Sequence, residues 1–449
     1  MGRLFGTDGV RDVANAGLSP ELAFKLGRAG GAMLLRKGFD HPRIVLGRDT
    51  RISGDMLEAA LIAGMTSCGA EVLKVGVIPT PGVAFLTREL KAHAGVVISA
   101  SHNPVEYNGI KFFSSDGFKL LDEDEELIEQ LALDGQAYED IPRPTGGGIG
   151  MVRAVADAED LYARYIMKTA EIDLSGYRIV IDCAHGAAYR VAPRVLSELG
   201  ATVIPINVEP NGVNINVDCG STHPERAQEA VKEHGADLGL AHDGDADRLI
   251  AIDENGHIVD GDHIMAICGL DRLRNGSLPG NTIVATVYSN LGLVRALERE
   301  GGQVIMTRAG DRYVLEEMLK RGAALGGEQS GHVIFLDHNT TGDGLITALQ
   351  LLSVMKRTGK CLSELAAIME TYPQVLVNVR VHDKSGLENN HRIAKAIESA
   401  EGRLLGEGRI FVRCSGTEPL VRILGEGPDA SIVESAVNDV ARVIEEELC

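Results

Sequence analysis

Three aspartates spaced two residues apart are the first candidates for chemistry in this sequence. Asp243, Asp245 and Asp247 lie in the stretch AHDGDADRLIAI, where a turn would bring their carboxylates together. Hard divalent cations such as Mg²⁺ and Mn²⁺ prefer oxygen ligands of this kind. An EF-hand is excluded because Arg248 occupies the position of the sharp-turn glycine and strands flank the loop. The spacing predicts a divalent cation site, with a solvated acidic turn as the alternative.

A second candidate is Ser101, which follows a β-branched run in the stretch VISASHNPVEYNGIK. It lacks the GxSxG elbow of a hydrolase nucleophile. The remaining alternatives are an ordinary capping residue and a serine that carries a phosphoryl group. In the second case Ser101 would join the metal ligands, because the cation neutralises phosphate oxygens during transfer. Lys111, His102 and Arg11 would then supply positive charge or proton transfer.

Two further polar loops have the composition of a phosphate site and a sugar site. The stretch VRCSGTEPLVR combines guanidinium groups, hydroxyls and accessible backbone N–H groups, as a phosphate cradle does, in Arg413, Ser415, Gly416, Thr417 and Arg422. A plain hairpin turn is the alternative. Because GxxxxGK[ST] is absent from the sequence, the phosphate is not expected to be that of ATP.

The stretch GGEQSGH offers a carboxylate, a hydroxyl and an imidazole between glycines, in Glu328, Ser330 and His332. Such a set can bind the vicinal hydroxyls of a sugar, although an ordinary loop has the same composition. Arg248, directly after the aspartates, is a further candidate for substrate binding.

The elements that must position these loops repeat three times. Each block opens on an Ile-Val strand, continues through a helix to a second strand, and ends in a small-residue strand that leads into a polar loop. The loops are SASHNP, AHDGDADR and GEQSGH. Such alternation is typical of parallel α/β units, which bind ligands at the carboxyl ends of their strands. The three loops are therefore predicted to occupy equivalent positions around a shared central cleft.

The last part of the chain differs from the repeats. It predicts two strands around the Arg413–Arg422 loop and a final helix with Asp429 as its N-cap and an apolar stripe of Ile432, Ala436, Val440, Val443 and Ile444. We therefore expect an α/β protein of three similar mixed α/β domains plus a smaller α+β domain. The predicted boundaries are 1–148, 149–254, 255–368 and 369–449.

The composition of the chain indicates which kinds of binding surface and which cellular compartment fit it. A formal net charge of −20 argues against a nucleic-acid or anionic-membrane surface, and no apolar run is long enough to span a bilayer. The seven cysteines are widely spread, without a CxxC pair, which is typical of a reduced cytoplasmic chain. The oligomeric state is left open, with a homodimer as one alternative.

The four loops, in this order, resemble those of the α-D-phosphohexomutase superfamily. SASHNP resembles the phosphoserine loop, DGDADR the metal loop, GEQSGH the sugar-binding loop and RCSGTEP the phosphate-binding loop. Within the superfamily, the segments FGTDGVRD and GRDTRISG and the residue Gln329 are most similar to bacterial phosphoglucosamine mutases. Asp12 stands where those relatives usually have glycine. If that glycine has a positive φ, the turn beside Arg11 is expected to be strained.

The resemblance implies that the chain converts glucosamine 6-phosphate to glucosamine 1-phosphate for cell-wall precursor synthesis. Phospho-Ser101 would donate its phosphoryl group to the sugar, with the assistance of one Mg²⁺ per subunit. Glucosamine 1,6-bisphosphate would be the intermediate, and either this compound or glucose 1,6-bisphosphate would be the activator. The fourth domain would close over the cleft on a hinge near Tyr372 and Pro373. A glucose or mannose phosphomutase, a metal-dependent sugar phosphatase and a non-catalytic sugar-phosphate sensor remain alternatives.

Overall fold

The amino-terminal region is built on a six-stranded sheet in the order β1-β5-β4-β2-β3-β6. The computed structural model describes residues 4–6, 8–384, 386–387, 390–414 and 419–449. The strands of this sheet are β1 (Val10–Val13), β2 (Arg43–Arg48), β3 (Glu71–Val77), β4 (Ala94–Ile98), β5 (Tyr107–Ser114) and β6 (Val152–Ala154). The helices are α1 (Pro20–Arg36), α2 (Ser53–Ser67), α3 (Thr80–Glu89), α4 (Asp122–Leu133) and α5 (Gly135–Glu139).

The second region has a five-stranded sheet in the order β11-β10-β9-β7-β8. Its elements are α6 (Ala158–Lys168), β7 (Arg178–Asp182), α7 (Val191–Glu198), β8 (Thr202–Ile206), α8 (Glu225–His234), β9 (Leu238–Ala241), β10 (Ile250–Ile252) and β11 (Ile258–Val259).

The third region has a four-stranded sheet in the order β13-β12-β14-β15. Its elements are α9 (Gly261–Arg274), β12 (Thr282–Thr286), α10 (Leu291–Arg299), β13 (Gln303–Thr307), α11 (Asp311–Arg321), β14 (Leu325–Gly327), β15 (Val333–Phe335), α12 (Gly344–Thr358) and α13 (Leu362–Ala366).

The three sheets share one topology, which confirms the predicted repeat. In each, a central strand pairs in parallel with the next two strands of the chain, one on either side, and a fourth strand returns antiparallel to the third. The four equivalent strands have the same order in each sheet: β3-β2-β4-β5, β8-β7-β9-β10 and β13-β12-β14-β15. The loops after β4, β9 and β14 therefore lie at the same place in each repeat, the carboxyl end of the third strand.

The carboxyl-terminal region is a three-stranded antiparallel sheet covered by two helices, and it contains the two strands and the final helix that the sequence predicts. Its elements are β16 (Gln374–Arg380), α14 (His391–Arg403), β17 (Arg409–Cys414), β18 (Leu420–Glu426) and α15 (Ala430–Leu448). Asp429 caps α15 by accepting hydrogen bonds from the backbone N–H groups of Ser431 and Ile432. One detail of the predicted stripe is wrong: Ile432 is 41% exposed, and Val433 is buried in its place.

One apolar core joins the first three regions. Alternate side chains of the first sheet face opposite ways, so that Val45 and Val97 contribute to the shared core, whereas Ile44 and Val96 pack beneath α1 and α2. The carboxyl-terminal region has a separate core. The predicted domain boundaries stay predictions; β6 and β11, which follow the first two of them, pair with strands that precede them. No helix among the described residues has the length and apolarity to cross a bilayer.

The expectation of a strained turn at Asp12 is wrong. Asp12 lies within β1 and pairs with Asn108 of β5, so its backbone is extended and no positive φ is required. Its carboxylate accepts a hydrogen bond from the backbone N–H of Val13. The side chain of the preceding residue, Arg11, donates to Asn103 Oδ1 at 2.9 Å and to Asp8 Oδ2 at 2.9 Å. The replacement therefore leaves Arg11 beside the Ser101 loop.

Candidate active site

Ser101 lies in the loop between β4 and β5, buried at the junction with the second region. Its φ is +51°, in the left-handed region that few non-glycine residues adopt. Its hydroxyl donates a hydrogen bond of 2.6 Å to Asp243 Oδ2 and lies 3.2 Å from His102 Nδ1. The loops of the first and second repeats are thus brought into direct contact through this one side chain.

The three aspartates converge in the loop between β9 and β10. One carboxylate oxygen from each of Asp243, Asp245 and Asp247 lies within 4.8 Å of the others. Within the described part of the chain, Oδ1 of Asp245 and Oδ1 of Asp247 are buried without a hydrogen-bond partner. Burial and the charges of the two neighbouring aspartates raise the pKa of Asp243 well above its ordinary value. Unpartnered, mutually repelling carboxylate oxygens fit a divalent cation, which would relieve both costs.

Lys111, on β5, supplies the positive charge on the other side of this cluster. Its Nζ lies 3.0 Å from Asp245 Oδ2 and 2.8 Å from Asp8 Oδ2. Burial alone would lower the pKa of Lys111, but the carboxylates of Asp245 and Asp8 outweigh it and raise the pKa. Burial would raise the pKa of Asp245, but Lys111 and a 2.7 Å hydrogen bond from Thr80 Oγ1 lower it. Lys111 is therefore a permanent cation that keeps Asp245 ionised.

Above the aspartates a cavity of about 450 Å³ opens between the first, second and third regions. That volume falls within the range of small-molecule sites. The predicted site residues that line it are Arg11, Ser101, His102, Asp247, Arg248, Glu328 and His332. Three separate loops and the amino-terminal strand therefore contribute to a single cavity, as the shared-cleft prediction requires.

The loop of the third repeat brings a charged pair to this cavity. Burial would lower the pKa of His332, but Asp247, Asp311 and Glu328 raise it to about 9. Glu328 Oε1 accepts a hydrogen bond of 3.1 Å from the backbone N–H of Gly310. The site thus presents an imidazolium and a carboxylate side by side, groups that can bind phosphate and sugar hydroxyls respectively.

Two predicted residues behave differently in the structure. Burial and the charges of Arg248 and Arg11 lower the pKa of His102 to about 4, so this histidine is a neutral imidazole and does not supply the expected positive charge. Ser330 is exposed and does not line the cavity among the described residues, unlike Glu328 and His332.

Of the predicted phosphate cradle in the fourth region, the two described members, Arg413 and Arg422, are not among the residues that line this cavity. Arg413 and Arg422 face each other in the register of β17 and β18. Arg413 Nε donates to the hydroxyl of Tyr288 at 2.9 Å, and its guanidinium stacks over that ring at 5.2 Å. The predicted residues Ser415, Gly416 and Thr417 lie outside the described residues.

Three charged residues near the cavity were not predicted from the sequence: Asp8, Asp311 and Lys119. Lys119 Nζ lies 2.6 Å from Asp8 Oδ1 and also contacts Asp311, which in turn lies 3.6 Å from His332 Nε2. Asp311 follows strand β13, so the carboxyl-end rule could have found it. Lys119 lies outside the repeated loops, and no pattern in the sequence marks it.

The fold and the site define a class of protein: a multidomain α/β enzyme whose loops surround a serine, a cluster of three aspartates and a cavity lined by both basic and acidic side chains. Comparison with known proteins specifies the class. The chain matches the phosphoglucomutase/phosphomannomutase descriptions of α/β/α domain I over residues 2–139, domain II over 159–256, domain III over 260–372 and the C-terminal domain over 376–443. The chain belongs to the α-D-phosphohexomutase superfamily, and it is an isomerase of the mutase type.

The relatives extend along the whole chain. A phosphoglucosamine mutase of Heliobacterium modesticaldum is 60% identical, with 99% of both chains covered. A solved phosphoglucomutase/phosphomannomutase family protein of Burkholderia thailandensis superposes with a TM-score of 0.81 at 25% identity, over 99% of this chain and 97% of that one. The N-acetylphosphoglucosamine mutase of Aspergillus fumigatus, solved with GlcNAc-6P and magnesium, shares the fold with a TM-score of 0.71 at 18% identity, over 99% and 96%.

Proposed function

We propose that the protein interconverts glucosamine 6-phosphate and glucosamine 1-phosphate through a phosphorylated Ser101 and a 1,6-bisphosphate. The observation that carries the proposal is the 2.6 Å contact of Ser101 Oγ with Asp243, at the edge of a cavity lined by Arg11, Arg248 and His332. The name of the 60% identical relatives, phosphoglucosamine mutase, supports the hexosamine as substrate.

In the proposed forward reaction, the sugar O1 attacks the phosphorus of phospho-Ser101. A new P–O1 bond forms, the bond between phosphorus and Ser101 Oγ breaks, and the proton that O1 loses is balanced by the proton that the leaving Ser101 Oγ gains. In the second step, Ser101 Oγ recovers a phosphoryl group from O6 of the bisphosphate. The enzyme thus ends the cycle phosphorylated, with glucosamine 1-phosphate as product. Glucosamine 1,6-bisphosphate, or glucose 1,6-bisphosphate, would restore enzyme that has lost its phosphoryl group.

The acidic cluster is proposed to hold one Mg²⁺ per subunit, with Ser101, Asp243, Asp245 and Asp247 as its ligands. When bound, the cation supplies electrostatic stabilisation of the phosphoryl oxygens. Lys111 holds Asp245 ionised from the opposite side, where the 3.0 Å contact of their side chains supports this role. The neutral imidazole of His102 lies 3.2 Å from Ser101 Oγ and adds no charge that would compete with the cation.

The remaining candidates are proposed to hold the substrate. Glu328 and Ser330 would bind the sugar hydroxyls, while Arg11, Arg248 and His332 contribute positive charge in the cavity. A second phosphate site is proposed on the fourth region, from Arg413, Ser415, Gly416, Thr417 and Arg422. A mutase needs both, since the sugar must bind in two orientations with one phosphate always held away from Ser101.

Initial rates on glucosamine, glucose and mannose 6-phosphate test the proposal. We expect the amino sugar to give the highest kcat/KM, and Ser101→Ala to abolish turnover of all three sugars. Ser114→Ala is a matched control, since Ser114 lies on β5 and its hydroxyl, among the described residues, bonds only to the backbone of Phe118. Release of inorganic phosphate without 1-phosphate product would instead show a phosphatase, and a preference for glucose or mannose would show the other mutase activity.

A further inference from the structure

Arg51, which lies in the segment GRDTRISG and outside the four polar loops, binds the backbone of the Ser101 loop with its whole guanidinium group. It is the largest side chain in the described structure that is completely buried. Its Nε donates to Asp49 Oδ2 at 3.0 Å. The other donors go to main-chain carbonyl oxygens of the loop: Ser101 O at 2.9 Å, Asn103 O at 2.8 Å, Pro104 O at 2.6 Å and Tyr107 O at 3.1 Å. All three nitrogens of the side chain are therefore engaged in one place.

The partner carboxylate acts on the same loop. Asp49 accepts hydrogen bonds from the Arg51 backbone N–H at 2.9 Å and from Ser99 Oγ at 2.6 Å. Ser99 Oγ in turn accepts a hydrogen bond of 3.0 Å from the backbone N–H of Ser101. Both the N–H and the C=O of Ser101 are thus held, one through Ser99 and the other by Arg51 itself.

These hydrogen bonds are important because Ser101 has a backbone conformation that residues other than glycine rarely adopt. A non-glycine residue at φ +51° is strained by about 1 to 2 kcal/mol, and such strain persists only where the surroundings impose it. A planar guanidinium fork with several donors can impose it, because the fork loses little freedom for each bond formed. The more flexible ammonium group of lysine cannot reach four carbonyl oxygens at once.

The second region completes the arrangement. Asn216 Nδ2 donates to the same Ser101 carbonyl oxygen at 2.8 Å. That oxygen therefore receives one donor from the first region and one from the second, the region that also carries Asp243. The two bonds set the orientation of the serine relative to the aspartate cluster.

We infer that Arg51 is a positioning residue, assisted by Asn216, that holds Ser101 in its left-handed conformation so that Oγ points at the Asp243 cluster. This inference rests on the proposed role of Ser101 as phosphoryl carrier. It concerns transfer rather than substrate binding, since neither Arg51 nor Asn216 lines the cavity within the described chain.

The test is Arg51→Lys, compared with Arg48→Lys as a control in the same segment. Arg48 is also on the first region and pairs with Asp55 and Glu58, away from the Ser101 loop. For the folded Arg51→Lys variant we expect kcat to fall by about 100-fold, while KM stays within threefold of the wild-type value. The reason is that a displacement of a reacting group by about 1 Å can slow a reaction by about 100-fold. Arg48→Lys should keep kcat within about twofold. Equal kcat in the two variants would overturn the inference, as would a KM that rises in step with the loss of kcat.

If Arg51→Lys does not fold, the variant Asn216→Ala tests the inference. It removes one hydrogen-bond donor to Ser101 O without removing a large buried side chain. We expect kcat to fall by about tenfold with KM within threefold; the thermal midpoint should fall modestly, because Asn216 has a φ of +59°, which alanine adopts less readily than asparagine. Unchanged kcat in folded Asn216→Ala would contradict the inference. Measurements on wild-type protein distinguish the proposed function from the positioning role of Arg51. If the wild type has neither phosphoserine nor mutase turnover, the proposed function is refuted. If the wild type is active and the variants are equally active, only the positioning role is refuted.

Discussion

At the scale of single residues, the site is a balance of buried charges. Lys111 lies between Asp245 and Asp8, whereas Asp243 forms no ion pair within the described part of the chain and accepts the hydrogen bond of Ser101. The negative charge of the aspartate cluster is therefore compensated beside Lys111 but not beside Ser101. That asymmetry directs a cation towards Ser101.

Replacing Lys111 tests this balance. Lys111→Met leaves the buried Asp245 without its cation, whereas Asp8 keeps Lys119 and Arg11, so we expect the protein to lose roughly 3 to 5 kcal/mol of stability. Activity should fall by at least about 100-fold, because Asp245 would then tend to be protonated. Urea unfolding and mutase rates measure the two effects. Lys320→Met is the control, since Lys320 is exposed and its pair with Glu317 is worth less than about 1 kcal/mol; equal losses in both variants would contradict the account.

Asp262 shows what happens to a buried carboxylate without such a cation. Burial and neighbouring Asp260 raise the pKa of Asp262 to about 7, although the carboxylate accepts a hydrogen bond of 2.7 Å from the Asn290 backbone. Between about pH 4 and pH 7 only the folded state keeps this proton, so its contribution to stability is lost as pH rises through that window.

We therefore expect Asp262→Asn to gain stability relative to wild type between pH 5 and pH 8, by roughly 2 to 3 kcal/mol. The amide oxygen of asparagine can still accept the hydrogen bond from Asn290, so packing should change little. Urea unfolding of both proteins at the two pH values measures the difference. A difference between the proteins that is the same at both pH values would show that Asp262 does not titrate there.

At the scale of elements, the site depends on how closely two equivalent loops approach. Gly244, between the first two aspartates, touches the Ser101 loop. A Cβ atom there would lie 2.7 Å from Ser101 O and 2.9 Å from Asn216 Nδ2. Both contacts are too short for any side chain, so a glycine is required for the Ser101 loop and the aspartate loop to meet.

Gly244→Ala should therefore separate Ser101 from Asp243 while both domains stay folded. We expect at least a tenfold loss of kcat, since a displacement of about 1 Å is enough to misalign a reacting group. Gly147→Ala is the matched control, because an added Cβ meets no atom within 4 Å there. Equal rates for the two variants, with wild-type circular dichroism, would show that the loops need not approach so closely.

The sequence predicted the elements well because their signals are local. Strand periodicity, the repeated order of elements and the Asp429 cap depend on neighbours in the chain, and the structure confirms them. Charge states and long-range contacts could not be predicted this way. His102 is neutral because of burial beside Arg248 and Arg11, and Arg51 binds carbonyl groups some fifty residues further along the chain. Such effects arise only when distant segments pack together.

At the scale of the whole molecule, three regions form one body and the fourth packs as a separate unit. The first three share an apolar core, whereas the carboxyl-terminal sheet has its own. Polar contacts join them: Glu426 accepts a hydrogen bond of 2.7 Å from the Leu291 backbone, and Arg413 stacks on Tyr288. An interface of polar contacts, without a shared apolar core, is typical of domains that move relative to one another.

We therefore expect the fourth region to close over the cavity when substrate binds, turning near Tyr372 and Pro373. Closure would exclude water from the phosphoserine and bring Arg413 and Arg422 towards the sugar phosphate. Small-angle X-ray scattering should show a smaller radius of gyration with saturating glucosamine 6-phosphate than without it. The double variant Arg413→Ala/Arg422→Ala should lose this change. An unchanged scattering curve for the wild type with bound substrate would rule out closure.

The intact mass of the protein tests the central claim, that Ser101 carries the phosphoryl group. After incubation with glucose 1,6-bisphosphate and removal of the sugar, the wild-type chain should carry one phosphoryl increment. Turnover of excess glucosamine 6-phosphate should leave the increment in place, because each cycle returns a phosphoryl group to Ser101, while Ser101→Ala should show no increment at any stage. Isomerisation of substrate by wild-type protein that never acquires the increment, or an increment retained in Ser101→Ala, would contradict the account.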